Sequence, residues 1–285
     1  MRPELHSRHA RTWCVLGACA VAALLACLAT RAQAAVPGGI AVIDVPPDAT
    51  SATYAGHRVL VLTEPKPTAF VGIGLDAHPG HHALTVVSPS KGTFDIPFDV
   101  TKKSFPVQRL TLPPDKVNPP ADAMPRIEHE TQLTKAQYGT FTPASTSPFP
   151  MTIPASGPVS SNFGLRRILN GELRSPHAGL DVAAPLGAPV TSPAAGRVSL
   201  VDDFYFTGKV VFIDHGAGVV SMMCHLSAVD VKQGDRVTKG QPIGRVGATG
   251  RATGPHLHWS VSMNDERVDP SAVLALFKPK APKSG

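Results

Sequence analysis

Gly254-Pro-His-Leu-His-Trp259 is the stretch from which the fold is read. Trp259 and Val261 favour a strand, where residues two apart point to the same face. His256 and His258 then share one face, and Leu257 turns the other way into a core. One imidazole can ligate a metal while the other holds a water or a carbonyl oxygen, or both can ligate. The spacing alone leaves both arrangements open. Further strand signals precede this one at 190–192, 196–201, 210–214, 219–224 and 243–246, and it continues to 263. Almost nothing between them is helical, so residues 151–277 are expected to form a mainly antiparallel β domain.

Composition supports a β-rich chain. Of 285 residues, 17% are charged, and Gly 25 with Pro 29 punctuate the sequence too densely for a coiled coil or a helical bundle. The formal charge is +6. Residues 1–34 carry half of it, through Arg2, Arg8, Arg11 and Arg31 against Glu4. No Lys/Arg block is long enough to line a nucleic-acid groove, which sets that partner aside.

The first 34 residues read as a secretory signal. A polar, Arg-bearing start is followed by an apolar run over 13–29 and by Ala32-Gln33-Ala34, small residues at −3 and −1 of a cleavage site. An uncleaved anchor and lipidation at Cys27 are the competing readings; bulky Leu25 fits the latter poorly. Cys14, Cys19 and Cys27 lie in this segment, so the mature chain keeps only Cys224 and has no internal disulfide. No later run reaches ~18 uninterrupted apolar residues, so no membrane span is expected after signal removal. Export, most simply to a periplasm, is the expected destination.

Residues 36–122 hold short alternating runs, Arg58-Val-Leu-Val-Leu62, Ala83-Leu-Thr-Val-Val87 and Val107-Gln-Arg-Leu-Thr-Leu112, separated by turns such as His78-Pro-Gly80 and Ser88-Pro-Ser90. They predict a small N-terminal β-sandwich. Within 123–150, a helix is expected over 124–138 with Ile127, Leu133 and Ala136 on its apolar face, then a Ser/Thr/Pro linker. Residues 278–285 are expected to be a flexible tail.

His177 and Asp181 stand four apart. Pro176, Gly179 and Pro185 argue against a helix that would put them on one face. On a straight strand their Cα atoms would be roughly 13 Å apart at ~3.3 Å per residue, too far for one ion. They can share a metal only if the chain bends, and Gly179 is the residue expected to permit the bend. Two imidazoles and one carboxylate make a catalytic zinc set with an open fourth position, and the two remaining histidines can accept a proton and donate to an oxyanion. The absence of HExxH sets aside a helix-based metalloprotease.

Over most of 159–270 the sequence resembles the lysostaphin/LytM-type zinc metallopeptidases that cut peptidoglycan cross-links. The shared blocks include Asn162-Phe-Gly-Leu-Arg166, His177-Ala-Gly-Leu-Asp181, Val211-Phe-Ile-Asp-His-Gly216, His225-Leu-Ser227 and Gly247-Ala-Thr-Gly-Arg-Ala-Thr-Gly-Pro-His-Leu-His258. The resemblance implies an antiparallel sheet with a narrow groove over one Zn²⁺ held by His177, Asp181 and His258. It implies His256 as general base or water-orienting residue and His225 as oxyanion stabiliser. Peptidoglycan peptide stems and cross-bridges are the implied partner. Asn162 and Arg166 are expected to bind substrate; pinning a groove loop through a carboxylate is the other role open to Arg166. Met223 stands where family members often carry an aromatic, which is expected to alter groove packing. The front region resembles the β-rich domain found ahead of some Gram-negative members, through Pro37-Gly-Gly-Ile40, Ala69-Phe-Val-Gly-Ile-Gly-Leu75 and Arg126-Ile127 with Glu130. It is expected either to restrict the groove or to bind glycan or a protein regulator.

The alternative function is a non-catalytic peptidase-fold regulator of another wall hydrolase. The complete set of five residues argues against it. A swinging-arm carrier, suggested by the Gly-Asp-x-Val-x-x-Gly-Gln turn at 234–241, fits poorly with an export signal. His78-Pro-Gly-His-His82 is read as a hairpin turn, Asp214-His215-Gly216 as a strand end and turn, and Cys224 as buried beside the site.

Overall fold

A computed structural model describes residues 35–144 and 146–277. The signal segment, its cleavage and lipidation sites, and the 278–285 tail lie outside the described residues. No helix among the described residues is long and apolar enough to cross a membrane.

The front region is the expected sandwich. One sheet has the order β1 (Ile40–Asp44), β5 (Thr68–Gly72), β4 (Leu60–Leu62); the other runs β3 (His57–Arg58), β2 (Ser51–Tyr54), β6 (Gly80–Ser88), β7 (Gly92–Val100). Alternation explains the pairing: Leu84 and Val86 of β6 and Ile96, Phe98 and Val100 of β7 turn inward onto Ala41, Ile43, Ala69 and Val71. The first sheet is covered on both faces. Leu60 and Phe70 point outward and pack with Phe149 and Met151 into the core of the rear half. This is why Thr68–Gly72 reads as a nearly continuous apolar run. Asn264 of the rear half clamps β5, accepting from Gly72 N at 2.6 Å and donating to Gly72 O at 3.1 Å. His82 is bonded to Tyr54 through Nδ1 and His81 to Asp99, so these two histidines are held within their own sheet.

The strand at 107–112 departs from expectation. β8 (Val107–Leu110) joins neither front sheet; it runs parallel to β10 (Arg166–Leu169), which is paired antiparallel to β11 (Glu172–Leu173). A short helix, α1 (Pro114–Val117), follows, and Leu112 and Val117 pack on Leu169. The helix α2 (Met124–Tyr138) spans the predicted residues, but its buried face differs. Leu133 packs on the sheet and Ala136 is exposed, whereas Glu130 and Tyr138 are buried. Burial of Glu130 is compensated by bonds from Arg126 Nε at 2.6 Å and Tyr205 N at 2.8 Å. The predicted linker ends anchored, because Phe149 and Met151 enter the core.

The rear half is a ten-stranded antiparallel sheet. Its strands are β9 (Val159–Ser161), β12 (Leu180–Ala183), β13 (Pro189–Thr191), β14 (Gly196–Phe204), β15 (Gly208–Gly216), β16 (Val219–Val229), β17 (Arg236–Val237), β18 (Pro242–Val246), β19 (His256–Met263) and β20 (Glu266–Val268). The main path is β17-β14-β15-β16-β19-β12-β9, and α3 (Pro270–Ala275) closes the chain. One face, with Leu180, Val182, Met223, Leu257, Trp259 and Val261, forms the main core. On the other face Val220, Met222 and Cys224 lie under Tyr138 of α2, whose ring meets Phe212 edge-on at 5.7 Å.

Candidate metal centre

Asp181 and His258 face each other as register partners of β12 and β19. Each has core residues on both sides, Leu180 and Val182 for the first and Leu257 and Trp259 for the second, so strand alternation drives both polar side chains to the opposite face. His177 lies in the segment leading into β12, held by His177 N→Leu165 O at 2.9 Å and Gly164 N→His177 O at 2.7 Å. Gly179 serves this geometry differently from the expectation. Its backbone is not left-handed; instead, a Cβ there would come within 2.5 Å of the His258 ring and 2.7 Å of Trp259 O. Its smallness gives the His258 imidazole its place.

Three donor atoms converge. His177 Nε2 lies 3.0 Å from Asp181 Oδ1 and 3.0 Å from His258 Nδ1, and His258 Nδ1 lies 2.8 Å from Asp181 Oδ1. The groups behind them fix the protons. His177 Nδ1 donates to Asn162 O at 2.8 Å, leaving Nε2 with a lone pair in the neutral ring. Ser260 donates to Ala178 O at 2.5 Å and so accepts from His258 Nε2 at 3.0 Å, leaving Nδ1 bare. Burial pushes His258 down to about 4, which keeps that ring neutral near pH 7. Two nitrogen lone pairs and a carboxylate oxygen thus meet with no proton between them. That arrangement is repulsive alone and suits a cation. Donors on a tetrahedral zinc with bonds of ~2.0 Å stand about 3.3 Å apart, close to the observed separations. Arg167 Nη2, 3.5 Å from Asp181 Oδ2, holds the outer carboxylate oxygen.

Beside these atoms is a cavity of about 280 Å³ whose lining includes Asp181, His225, His256 and His258. The His225 and His256 rings are 4.8 Å apart. His225 reaches the cavity through a backbone irregularity. Regular alternation from Cys224 would send it into the core, but at φ +63° it is left-handed, and Leu226 takes the core position instead. His225 Nδ1 donates to Thr249 O and His256 Nδ1 to Gly254 O, both at 2.8 Å. With Nδ1 donating, Nε2 of either ring is the acceptor whenever the ring is neutral. Burial, with His258 and His256 adding to it, pushes His225 down to about 3. At rest His225 accepts rather than donates, and it can serve an oxyanion only after gaining a second proton.

His177, Asp181, His225, His256 and His258 are thus brought together, whereas the two expected substrate-binding residues are not. The Asn162 side chain is exposed and outside the cavity lining; its carbonyl is what contributes, by orienting His177. Arg166 is also exposed and away from the cavity, because alternation along β10 turns Arg167 and Leu169 toward it. Arg167 was legible by that same rule, two residues before an apolar Leu. Arg251, in the loop before β19, also lines the cavity, as do Gln108, Leu110 and Leu112. Met223 lies in the core on the far face and does not shape the groove. Cys224 is buried next to His258, and burial holds its thiol well above the ordinary range. His215 is buried with Nδ1 donating to Ala195 O and Nε2 accepting from Ser221, a structural role.

Comparison with known proteins gives the family. Residues 175–270 match Peptidase family M23, and residues 33–103 match the Peptidase family M23 N-terminal domain. A crystal structure of a Pseudomonas aeruginosa protein assigned to peptidase M23 is 42% identical, with a TM-score of 0.71 over 86% of this chain and 97% of that one. The chain belongs to peptidase family M23. The peptidoglycan DD-endopeptidase ShyA of Vibrio cholerae is 40% identical over 112 residues, 39% of this chain and 26% of that protein. The DD-carboxypeptidase/endopeptidase Mpg of Neisseria meningitidis is 41% identical over 115 residues, 40% of this chain and 26% of that protein. The alignments thus span about a quarter of the length of these two relatives.

Proposed function

We propose that the chain is a zinc-dependent endopeptidase hydrolysing peptide cross-links of bacterial peptidoglycan. The observation that carries this reading is the meeting of His177 Nε2, Asp181 Oδ1 and His258 Nδ1 within 3.0 Å of one another. The names of the ShyA and Mpg relatives support the substrate class. One Zn²⁺ held by these three side chains supplies a Lewis acid that polarises a peptide carbonyl and acidifies a water. His256 Nε2 accepts the proton of the attacking water, and its Nδ1–H bond to Gly254 O keeps that nitrogen available. His225 Nε2 is a second acceptor 4.8 Å away in ring separation, and charge repulsion favours one imidazolium in the pair at a time. The proton held on His256 Nε2 goes to the leaving nitrogen as the C–N bond breaks, and His225 Nε2 can donate to the oxyanion only in its protonated form.

The strap formed by β8 and the residues after it restricts access in this reading. Gln108, Leu110 and Leu112 wall a cavity of about 280 Å³, below the ~300–1,000 Å³ usual for ligand pockets and small for a cross-linked peptide. The Arg-bearing, apolar first 34 residues support export to the periplasm, where this substrate lies.

The test is digestion of purified cross-linked muropeptides, with products identified by mass spectrometry. Wild type should release monomers, and a chelator should stop the release. A zinc-loaded wild type that releases nothing would favour the regulator reading.

A further inference from the structure

Arg251 is a guanidinium built into the cavity without a carboxylate to meet it. Its backbone N donates to Phe206 O at 2.7 Å, its guanidinium lies 4.4 Å over the Phe206 ring, and Nη1 donates to Lys116 O at 3.4 Å. These contacts order the side chain yet use few of its five N–H donors. No carboxylate pairs with Arg251 among the described residues. Arg167 lines the same cavity, and its carboxylate partner, Asp181, is a member of the donor triad. Arg174, near Arg251, is bonded to Glu172, Asn118 and Val117. Burial, with the charges of Arg167 and Arg174 adding to it, pushes Arg251 below the usual arginine range. The charged side chains lining the cavity, apart from histidine, are therefore two arginines and one aspartate, an excess of positive charge that any divalent cation would increase.

We infer that Arg251, with Arg167 beside it, forms an anion subsite that takes a free carboxylate on the substrate next to the scissile bond. This rests on the peptidase reading above and narrows it. A peptide substrate supplies such an anion from two sources: the carboxylate on the branching carbon of a diaminopimelate cross-link, or the terminal carboxylate of a D-Ala-D-Ala stem. The interior of a glycine bridge offers none, so the subsite selects against that bond. Planar, bidentate pairing is the geometry arginine offers a carboxylate.

The test uses ligands small enough for the cavity: N-acetyl-D-alanyl-diaminopimelate, the same compound with the carboxylate beside the amide converted to carboxamide, and N-acetyl-D-Ala-D-Ala. Binding is measured by calorimetry on the zinc-loaded full chain carrying His256→Ala, and turnover is measured separately on wild type. The free acid should bind about 10-fold or more tighter than the carboxamide, the scale of charge-assisted hydrogen bonds. Adding Arg251→Gln should bring that ratio near one, and Arg251→Lys should restore part of it. Comparable binding of D-Ala-D-Ala assigns the carboxylate to a chain end; weak binding of it assigns the branching carbon. Equal affinity for acid and carboxamide, or a preference that survives Arg251→Gln, overturns the subsite. Absence of turnover by wild type with an Arg251-dependent preference intact would overturn the peptidase reading and leave the subsite standing.

Discussion

Asp181 Oδ1 lies 2.8 Å from His258 Nδ1 across a β-ladder in which the two residues are direct register partners. The two donors are thus set by backbone pairing, and Ser260, two residues along on the same face, sets the tautomer by accepting from His258 Nε2. Ser260→Ala removes that acceptor and leaves ring orientation to chance. It should weaken zinc affinity by about 10–100-fold, the usual cost of losing a group behind a metal-bound histidine, and Ser260→Thr should recover much of it. Competition with a chromophoric chelator measures this without reference to activity.

His215 should govern part of the acid stability. Burial pushes it down to about 4 from 6.5, so between those values the unfolded chain binds a proton that the folded one refuses. Stability from this group is fully present above pH 6.5 and is lost as pH falls toward 4, by about 3 kcal/mol. In His215→Gln, the difference in unfolding free energy between pH 7 and pH 4 should shrink by about that amount. Urea melts at both pH values check it; an unchanged difference would mean that His215 titrates normally.

Asn264 joins the two halves through a two-way bond with Gly72, and it is buried at φ +46°, a conformation Asn tolerates better than most residues. Asn264→Ala leaves Gly72 N–H and C=O without those partners. A loss of about 2–4 kcal/mol is expected, with a fall in Tm of several degrees in a thermal melt. Asn264→Gly, which relieves the backbone but not the bonds, should lose nearly as much.

The strap on the cavity should reveal itself by substrate size. Leu110→Ala with Leu112→Ala weakens packing against Leu169 and loosens the wall. Release of soluble fragments from intact sacculi should rise several-fold, while cleavage of a short cross-linked peptide changes less. A uniform fall on both substrates would instead make the strap part of the substrate platform.

Local periodicity carried much of the sequence reading. His256 and His258 share a face because strand alternation is local, and 124–138 is helical because its one breaker, Pro125, sits in the first turn where a helix tolerates it. What escaped depends on contacts distant in sequence. Nothing in 107–112 signals a parallel partner at 166–169. The need for Gly179 comes from a ring 79 residues away, so an expected bend was in fact a close approach. His225 reaches the cavity only because its backbone leaves the regular strand, a left-handed conformation uncommon for any residue but glycine. The shared motif points to Arg166, whereas alternation from Leu169 points to Arg167.

The central claim is tested most directly by adding zinc back to chelated protein while following monomer release from a cross-linked muropeptide dimer. Activity should climb linearly and level off at one zinc per chain, and Asp181→Asn should stay inactive throughout the same titration. Full release of monomers with no zinc present, or a saturation point indifferent to Asp181, would contradict the account.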